Sequence, residues 1–364
     1  MARAQSIQRI HARQVLDSRG NPTVEVEVHC QDGAWGRALV PAGASTGRHE
    51  AVELRDGELA HFGGKGVRRA LANIQESIAP HLLGLAVTDQ AHIDRVLCDL
   101  DGTPNKSRFG ANALLGVSLA CAHAAATGQK LPLWRYLGSL LDHSFARGGP
   151  RGPRIPLPMV NLISGGLHAG GNLDLQDFLL LPIGAASFFE ALEMSVNIYR
   201  SVSTTLIRRG FEGVLVGDEG GFGPRLQDNE QALGIVVEAI ERAGYAPGQQ
   251  AAIAIDVAST QFYRDGHYHL RITAGTALSA EALIDLLEKW VDRYPILSIE
   301  DGLAEDDWDG WRSLTSRLGR RIQLIGDDLF VTNPERLRRG IAAGIANSVL
   351  IKVNQIGTLT ETLE

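Results

Sequence analysis

Four apolar runs in the second half of the chain end in acids, and a fifth ends in a lysine. The acids are Asp218-Glu219, Asp256, Glu300 with Asp301, and Asp327 with Asp328; the lysine is Lys352. Carboxylates gathered in one closed site cannot all stay ionised unless a cation neutralises them. The set Asp256, Glu300 and Asp327 contains no His or Cys, so its donors are hard oxygens that point to Mg²⁺ or Mn²⁺ and away from zinc. A lysine facing such a set, its pKa lowered by desolvation and metal charge, can act as a general base, which a permanently protonated arginine cannot. Taken singly, an acid after a strand is an ordinary helix cap, and a lysine at a strand end reaches to water. Repetition is what points to a site.

Each of these groups needs an element to position it. The runs Leu173–Pro182, Gly213–Asp218, Ala251–Asp256, Ile296–Glu300, Ile322–Asp327 and Ser348–Lys352 are separated by amphipathic helical stretches. That is the pattern of β/α units around a parallel sheet, with strands apolar enough to be buried on both faces. The intervals 256 to 300, 300 to 327 and 327 to 352 each hold one helix and two loops, so each unit brings one functional group to the rim where barrel strands end. Upstream, residues 1–9 read as a first strand, Ser18–Pro22 as a turn, and Val24–His29 as a half-buried antiparallel strand. Helices are expected around 66–84 and 89–98 and over Ala111–Ala126. The Pro- and Gly-rich stretch Arg147–Pro158 sustains neither helix nor central strand. It divides an N-terminal α+β capping domain, residues 1–147, from a β/α barrel domain, residues 155–364. The fold class is α/β.

Composition narrows the function. The 364 residues carry 35 Lys+Arg against 42 Asp+Glu, a net −7 with no block of like charge, which leaves no footprint for nucleic acid or anionic membrane. A small anionic substrate must therefore meet a local cation. Only five cations are lysines (Lys65, Lys106, Lys130, Lys289 and Lys352), so a lysine among acids stands out. No apolar run approaches the ~18 residues of a membrane span, and the basic N-terminus lacks a hydrophobic signal core. Cys30, Cys98 and Cys121 form no CxxC, as expected of packing residues in a reducing cytoplasm. Lys65 is followed by Gly, so there is no P-loop. His49-Glu50 lacks a second histidine four residues after the first, which removes a zinc-protease reading.

Along essentially its whole length the chain resembles the enolases, the phosphopyruvate hydratases. The matching stretches in the first half are Asp17–Thr23, Gly43-Ala44-Ser45-Thr46-Gly47, Gly63–Val67, Asn105-Lys106-Ser107 and Gly110–Ala113. In the second half they are Val216–Gly221, Ser298–Asp301, Gly326–Leu329 and Leu350–Gly357. The resemblance implies a capping domain and a barrel with an unusual start, and a cytoplasmic homodimer or ring of dimers. It implies Mg²⁺-dependent dehydration of 2-phosphoglycerate to phosphoenolpyruvate, a step of glycolysis and gluconeogenesis. Lys352 would remove the C2 proton and Glu219 would protonate the departing C3 hydroxyl. Asp256, Glu300 and Asp327 would hold the first Mg²⁺ against the substrate carboxylate, and Ser45 would help bind a second. His168, Gln176 and Asp177 would line the substrate site.

Two positions depart from the family pattern: Asp177 stands where Glu is usual, beside Glu219, and Ala42 where Ser is usual. The family also continues through two further β/α units, which carry a phosphate-binding His-Arg-Ser stretch and a second active-site lysine. The chain is accordingly expected to be a truncated version of a longer one, with its barrel incomplete. Asp177 and Ala42 support an alternative, a specialised relative acting on another phospho- or phosphono-acid, such as a carboxyphosphonoenolpyruvate synthase. A non-catalytic scaffold is the third reading, and the persistence of the acids and Lys352 argues against it.

Overall fold

A computed structural model describes residues 5–43, 46–141, 154–272 and 277–364. The first sheet is an antiparallel meander of β1 (Ile7–Leu16), β2 (Pro22–Cys30) and β3 (Trp35–Leu39). Val24, Val26 and Val28 point to one fully buried face, as alternation along β2 requires. The turn before it is tied by Asp17 Oδ1, which accepts from the Arg19 and Asn21 amides, with Gly20 at φ +75°. The helical run from Arg68 to Leu82 carries a π turn over Asn73–Ile78. Helices Gln90–Asp101 and Ala111–Gly128 follow.

Helix Ala111–Gly128 is the core of this unit. Contrary to the expectation from composition, its 18 residues are long and apolar enough to cross a bilayer, yet 78% of that window is buried inside the fold. Its alanines let β3 approach until backbone meets backbone.

The second unit carries β4 (Val160–Ser164), β5 (Asp177–Leu181), β6 (Ala252–Asp256), then after a small antiparallel sheet of β7 (Tyr263–Arg264), β8 (His267–His269) and β9 (Ala277–Leu278), the strands β10 (Ile296–Glu300), β11 (Gln323–Gly326) and β12 (Ser348–Val349). The large sheet has the order β12-β11-β10-β6-β5-β4, and β4 is bridged on its outer side to Phe222. Helices Phe188–Arg208, Asn229–Arg242, Ala280–Arg293 and Trp308–Leu318 cover one face, burying Ile253 and Ile255 of β6 with Trp290 and Trp311. Small Ala252 and Ala254 point to the other face.

Two expectations need correction. The sheet is mixed: β6, β10, β11 and β12 are parallel, but β5 is antiparallel to both its neighbours. The run Gly213–Asp218 is not a buried strand; Val214, Leu215 and Val216 are exposed, and Val216 makes only an isolated bridge to Phe222. Hydrophobicity alone cannot distinguish an apolar loop from a strand when no neighbour supplies a ladder. The segment after β12 returns to the first unit, where Leu359 joins its core. As the Thr358-x-x-Glu361 pattern suggests, helix Leu359–Leu363 is capped by the Thr358 side chain on the Glu361 amide.

The contact between β3 and helix Ala111–Gly128 gives a stability test. A Cβ at Gly36 would lie 2.1 Å from the Ala124 amide nitrogen and 2.4 Å from the Ala120 carbonyl oxygen, both backbone atoms that cannot swing aside. Gly36→Ala is expected to destabilise the protein by about 1–3 kcal/mol, as overpacking does, measured by denaturant unfolding.

Candidate active site

The parallel strands end on one rim, and the reversed β5 begins there. Glu300 pairs with Asp256 in register, and Asp177, the first residue of β5, pairs with Asp256 from the other side. An acid at the start of one strand thus meets acids at the ends of others. None of these is needed as a helix cap: Ser279, Asp307 and Asn333 cap the helices of these units with their own side chains.

Asp256 is buried, with Oδ1 accepting from the Ala258 amide at 3.0 Å and Oδ2 from Gln176 Nε2 at 3.0 Å. Asp327 is also buried; Oδ2 meets Lys352 Nζ at 2.5 Å and Oδ1 accepts from Gln355 Nε2 at 2.7 Å. Asp301 turns both oxygens to the backbone, accepting from the Asp327 amide at 3.0 Å and the Asp328 amide at 2.7 Å. It acts as a cradle for the loop that carries Asp327. The oxygens of Asp301, Asp327 and Asp328 fall within 4.8 Å of one another, a set that includes one of the three expected ligands.

Backbone strain concentrates at this rim. Ala258, Asp301, Val331 and Thr332 all have positive φ, two of them β-branched. Such conformations cost on the order of 1–3 kcal/mol each and persist where surrounding contacts over-determine them.

The electrostatics follow from burial and crowding. Burial first, then Asp177 and Asp327, push the Asp256 carboxyl up to about 8. Burial, Asp256 and Asp327 likewise hold Glu300 well above the usual range, and burial with Asp327 lifts Asp328 to about 7. Burial alone would lower the Lys352 ammonium, but Asp327, Glu300 and Asp256 outweigh it, so the lysine is held above its ordinary value. Desolvation acts on the lysine in the direction expected from sequence, but the three carboxylates outweigh it. Five acids (Asp256, Glu300, Asp301, Asp327 and Asp328) share the rim with Lys352. Their hard oxygen donors and excess negative charge fit a divalent cation.

His168 lies on a turn between β4 and β5, buried, with Nδ1 at 2.8 Å from Asp177 Oδ2 and Nε2 at 3.7 Å from Glu219 Oε1. The other Asp177 oxygen accepts from Asn161 Nδ2 and from Ser164 Oγ. Asp177 therefore faces inward as a support for His168. Glu219 is half-exposed on the loop after Gly213–Asp218, where the Asp218 amide donates to the His168 carbonyl at 3.1 Å. Both Glu219 and Lys352 line a cavity of about 360 Å³, with Asp17, Arg19, Ala42, Gly43, His168 and Asn354 also in its wall. Arg19 and Lys352 are the cationic residues in its wall. Ser45 lies outside the described residues.

Several of these residues carried no role in the sequence reading: Arg19, Asn161, Ser164, Asp301, Thr332 and Gln355. A three-residue spacing on one helical turn after Lys352 is the signal that could have singled out Gln355. The three cysteines are free, and burial pushes the Cys30 thiol up to about 11 and Cys98 to about 12, leaving them unreactive.

Fold and site together define a two-unit α/β protein with an acid-rich rim at the ends of parallel strands. The family model described as "Enolase, C-terminal TIM barrel domain" matches residues 153–364, and "Enolase, N-terminal domain" matches residues 7–137. The chain belongs to the enolase family, a member of a superfamily of lyase-type enzymes that work with divalent metal ions.

The His168 pair has a pH signature. Burial alone would lower the imidazole, but the hydrogen bond and charge of Asp177, with Glu219 and Asp256, raise it above 6.5. A raised folded-state value stabilises the fold below the unfolded value near 6.5, and that contribution is lost as pH climbs through the folded value. In Asp177→Asn, NMR titration of His168 is expected to give a value below that of the wild type. The wild-type advantage in unfolding free energy over this variant is expected to shrink as pH rises from about 6 to about 8.

Proposed function

We propose that the protein catalyses the Mg²⁺-dependent dehydration of 2-phosphoglycerate to phosphoenolpyruvate. The observation that carries this reading is that Lys352 and Glu219 line one cavity, and that Lys352 Nζ reaches Asp327 Oδ2 of the acid rim. Dehydration of a 2-phospho-3-hydroxy acid needs a base at C2 and an acid at C3, and these two groups, well separated in sequence, share that cavity. Asp256, Glu300 and Asp327 are the residues that would hold Mg²⁺, which when bound supplies Lewis-acid stabilisation of negative charge on the substrate carboxylate.

The remaining work belongs to side chains. Lys352, once its ion pair with Asp327 is relaxed and its ammonium proton has passed to solvent, takes the C2 proton at the neutral Nζ. Glu219 delivers a proton to the C3 hydroxyl as it leaves as water. His168, held by Asp177, presents Nε2 beside Glu219 and orients that carboxyl. Arg19 supplies positive charge at the cavity wall while its Nη2 donates to the Ala42 and Gly43 carbonyls.

A second reading draws on Asp177. Because that shorter acid is turned to His168, Asn161 and Ser164, the space beside Glu219 differs from one filled by a glutamate, which favours a substrate with a differently shaped phospho- or phosphono-group.

Steady-state assays decide between the readings. The protein is expected to form phosphoenolpyruvate only with Mg²⁺ present, and Lys352→Ala and Glu219→Gln are each expected to lower kcat by about 10²–10⁴. No turnover of 2-phosphoglycerate, together with turnover of a phosphono-acid, would select the second reading; no turnover of either would reject both. Asp177→Glu is expected to change the ratio of kcat/KM values for the two substrate types. An unchanged ratio would remove the argument for retuning at that position.

A further inference from the structure

The acid rim is tied to the first unit through one amide. Gln355 is 1% exposed, although it is polar, and sits in the four-residue helical turn Val353–Ile356 that follows Lys352. Its Nε2 donates to Asp327 Oδ1 at 2.7 Å and lies 3.4 Å from Glu50 Oε1, while its Oε1 accepts from Thr332 Oγ1 at 2.8 Å. The orientation of this amide is not free. The Lys352 amide donates to Thr332 Oγ1 at 2.8 Å, and that hydroxyl gives its own proton to Gln355 Oε1 at 2.8 Å in preference to the Leu350 carbonyl at 3.4 Å, while the two carboxylates on the other side require the NH₂ group.

Thr332 reaches this place only through a left-handed backbone, φ +54°, next to Val331 at φ +45°. Glu50 also accepts from the Gly47 amide at 3.0 Å, and the Gln355 carbonyl accepts from the Ala51 amide at 2.8 Å. A Cβ at Gly47 would stand 3.0 Å from Asp328 Oδ1, so the Gly47–Ala51 segment rests directly on the acid loop.

We propose that Gln355 is a positioning residue for divalent-cation binding: oriented by Thr332, it fixes the Asp327 carboxylate and couples cation occupancy to the Gly47–Ala51 segment of the first unit. The inference rests on Asp256, Glu300 and Asp327 being a divalent-cation site. Each part of the arrangement has a direct consequence. One Asp327 oxygen is held by the amide, which leaves the other for Lys352 or for a cation. A shift of Asp327 on binding moves the same NH₂ group that faces Glu50, and with it the anchor of the Gly47 amide.

The test uses the whole chain with Mg²⁺ as the sole probe, in wild type, Gln355→Leu and Thr332→Val. Calorimetry reports affinity, hydrogen exchange reports the Gly47 and Ala51 amides, and thermal unfolding reports the fold. Gln355→Leu is expected to weaken Mg²⁺ by about 10–100-fold, the usual effect of losing a partner that orients a metal ligand, and to abolish the Mg²⁺-dependent slowing of exchange expected in wild type. Thr332→Val, which keeps the shape but frees the amide to rotate, is expected to weaken Mg²⁺ by several-fold, and it carries the test if Gln355→Leu does not fold. Lower thermal stability with wild-type affinity and wild-type exchange response would show a purely structural role and overturn the proposal. Absence of Mg²⁺ binding to the wild type would instead overturn the cation site itself, and the proposal with it.

Discussion

Five carboxylates are brought to one rim with a single lysine directly bonded among them, and most of the local architecture answers that excess of charge. Asp301 spends both oxygens on backbone amides, Asp256 divides its oxygens between an amide and Gln176, and Asp327 divides its own between Lys352 and Gln355. Such allocation lets acids be buried without each carrying an unpaired charge. What remains is carboxyls raised by burial and by one another, and a lysine raised by the acids around it.

Topology supplies the crowding. Parallel strands bring their C-terminal ends to the same rim, and the reversed β5 adds its N-terminal end, which is how Gln176 and Asp177 come to lie beside Asp256. The chain then crosses from Lys352 back to the first unit, where Thr360 bonds Asp94 and Lys106 pairs with Glu361 at 2.6 Å. The two units thus share a site by construction: β/α strands hold the acids, and the first unit holds the far end of the lysine segment.

Much of this was legible in the sequence. Acids after apolar runs located Asp256, Glu300 and Asp327, because burial of both strand faces leaves only the ends for polar groups. The antiparallel strand over Val24–His29, the Ala-rich core helix and the Thr358 cap followed from period, composition and cap chemistry. The first strand, expected over residues 1–9, instead runs Ile7–Leu16, and Trp35–Leu39 gave no such signal. The direction of β5 was hidden, since an apolar strand reads alike in either sense. Gly213–Asp218 misled because its valines and leucine carry strand propensity without a strand to pair with. Gln355 and Thr332, and the cradling role of Asp301, were hidden for a different reason: their importance lies in partners distant in the chain, such as Glu50 and Asp327, and in backbone angles that residue type does not announce.

The most direct measurement of the central claim is the number of protons released when Mg²⁺ binds the wild-type chain near neutral pH, from calorimetry in buffers of different ionisation enthalpy. The Asp256 carboxyl, lifted to about 8 by burial and by Asp177 and Asp327, would give up its proton to a cation bound among these acids, so binding is expected to release on the order of one proton. Mg²⁺ binding whose heat is independent of the buffer, or no binding at all, would contradict the account.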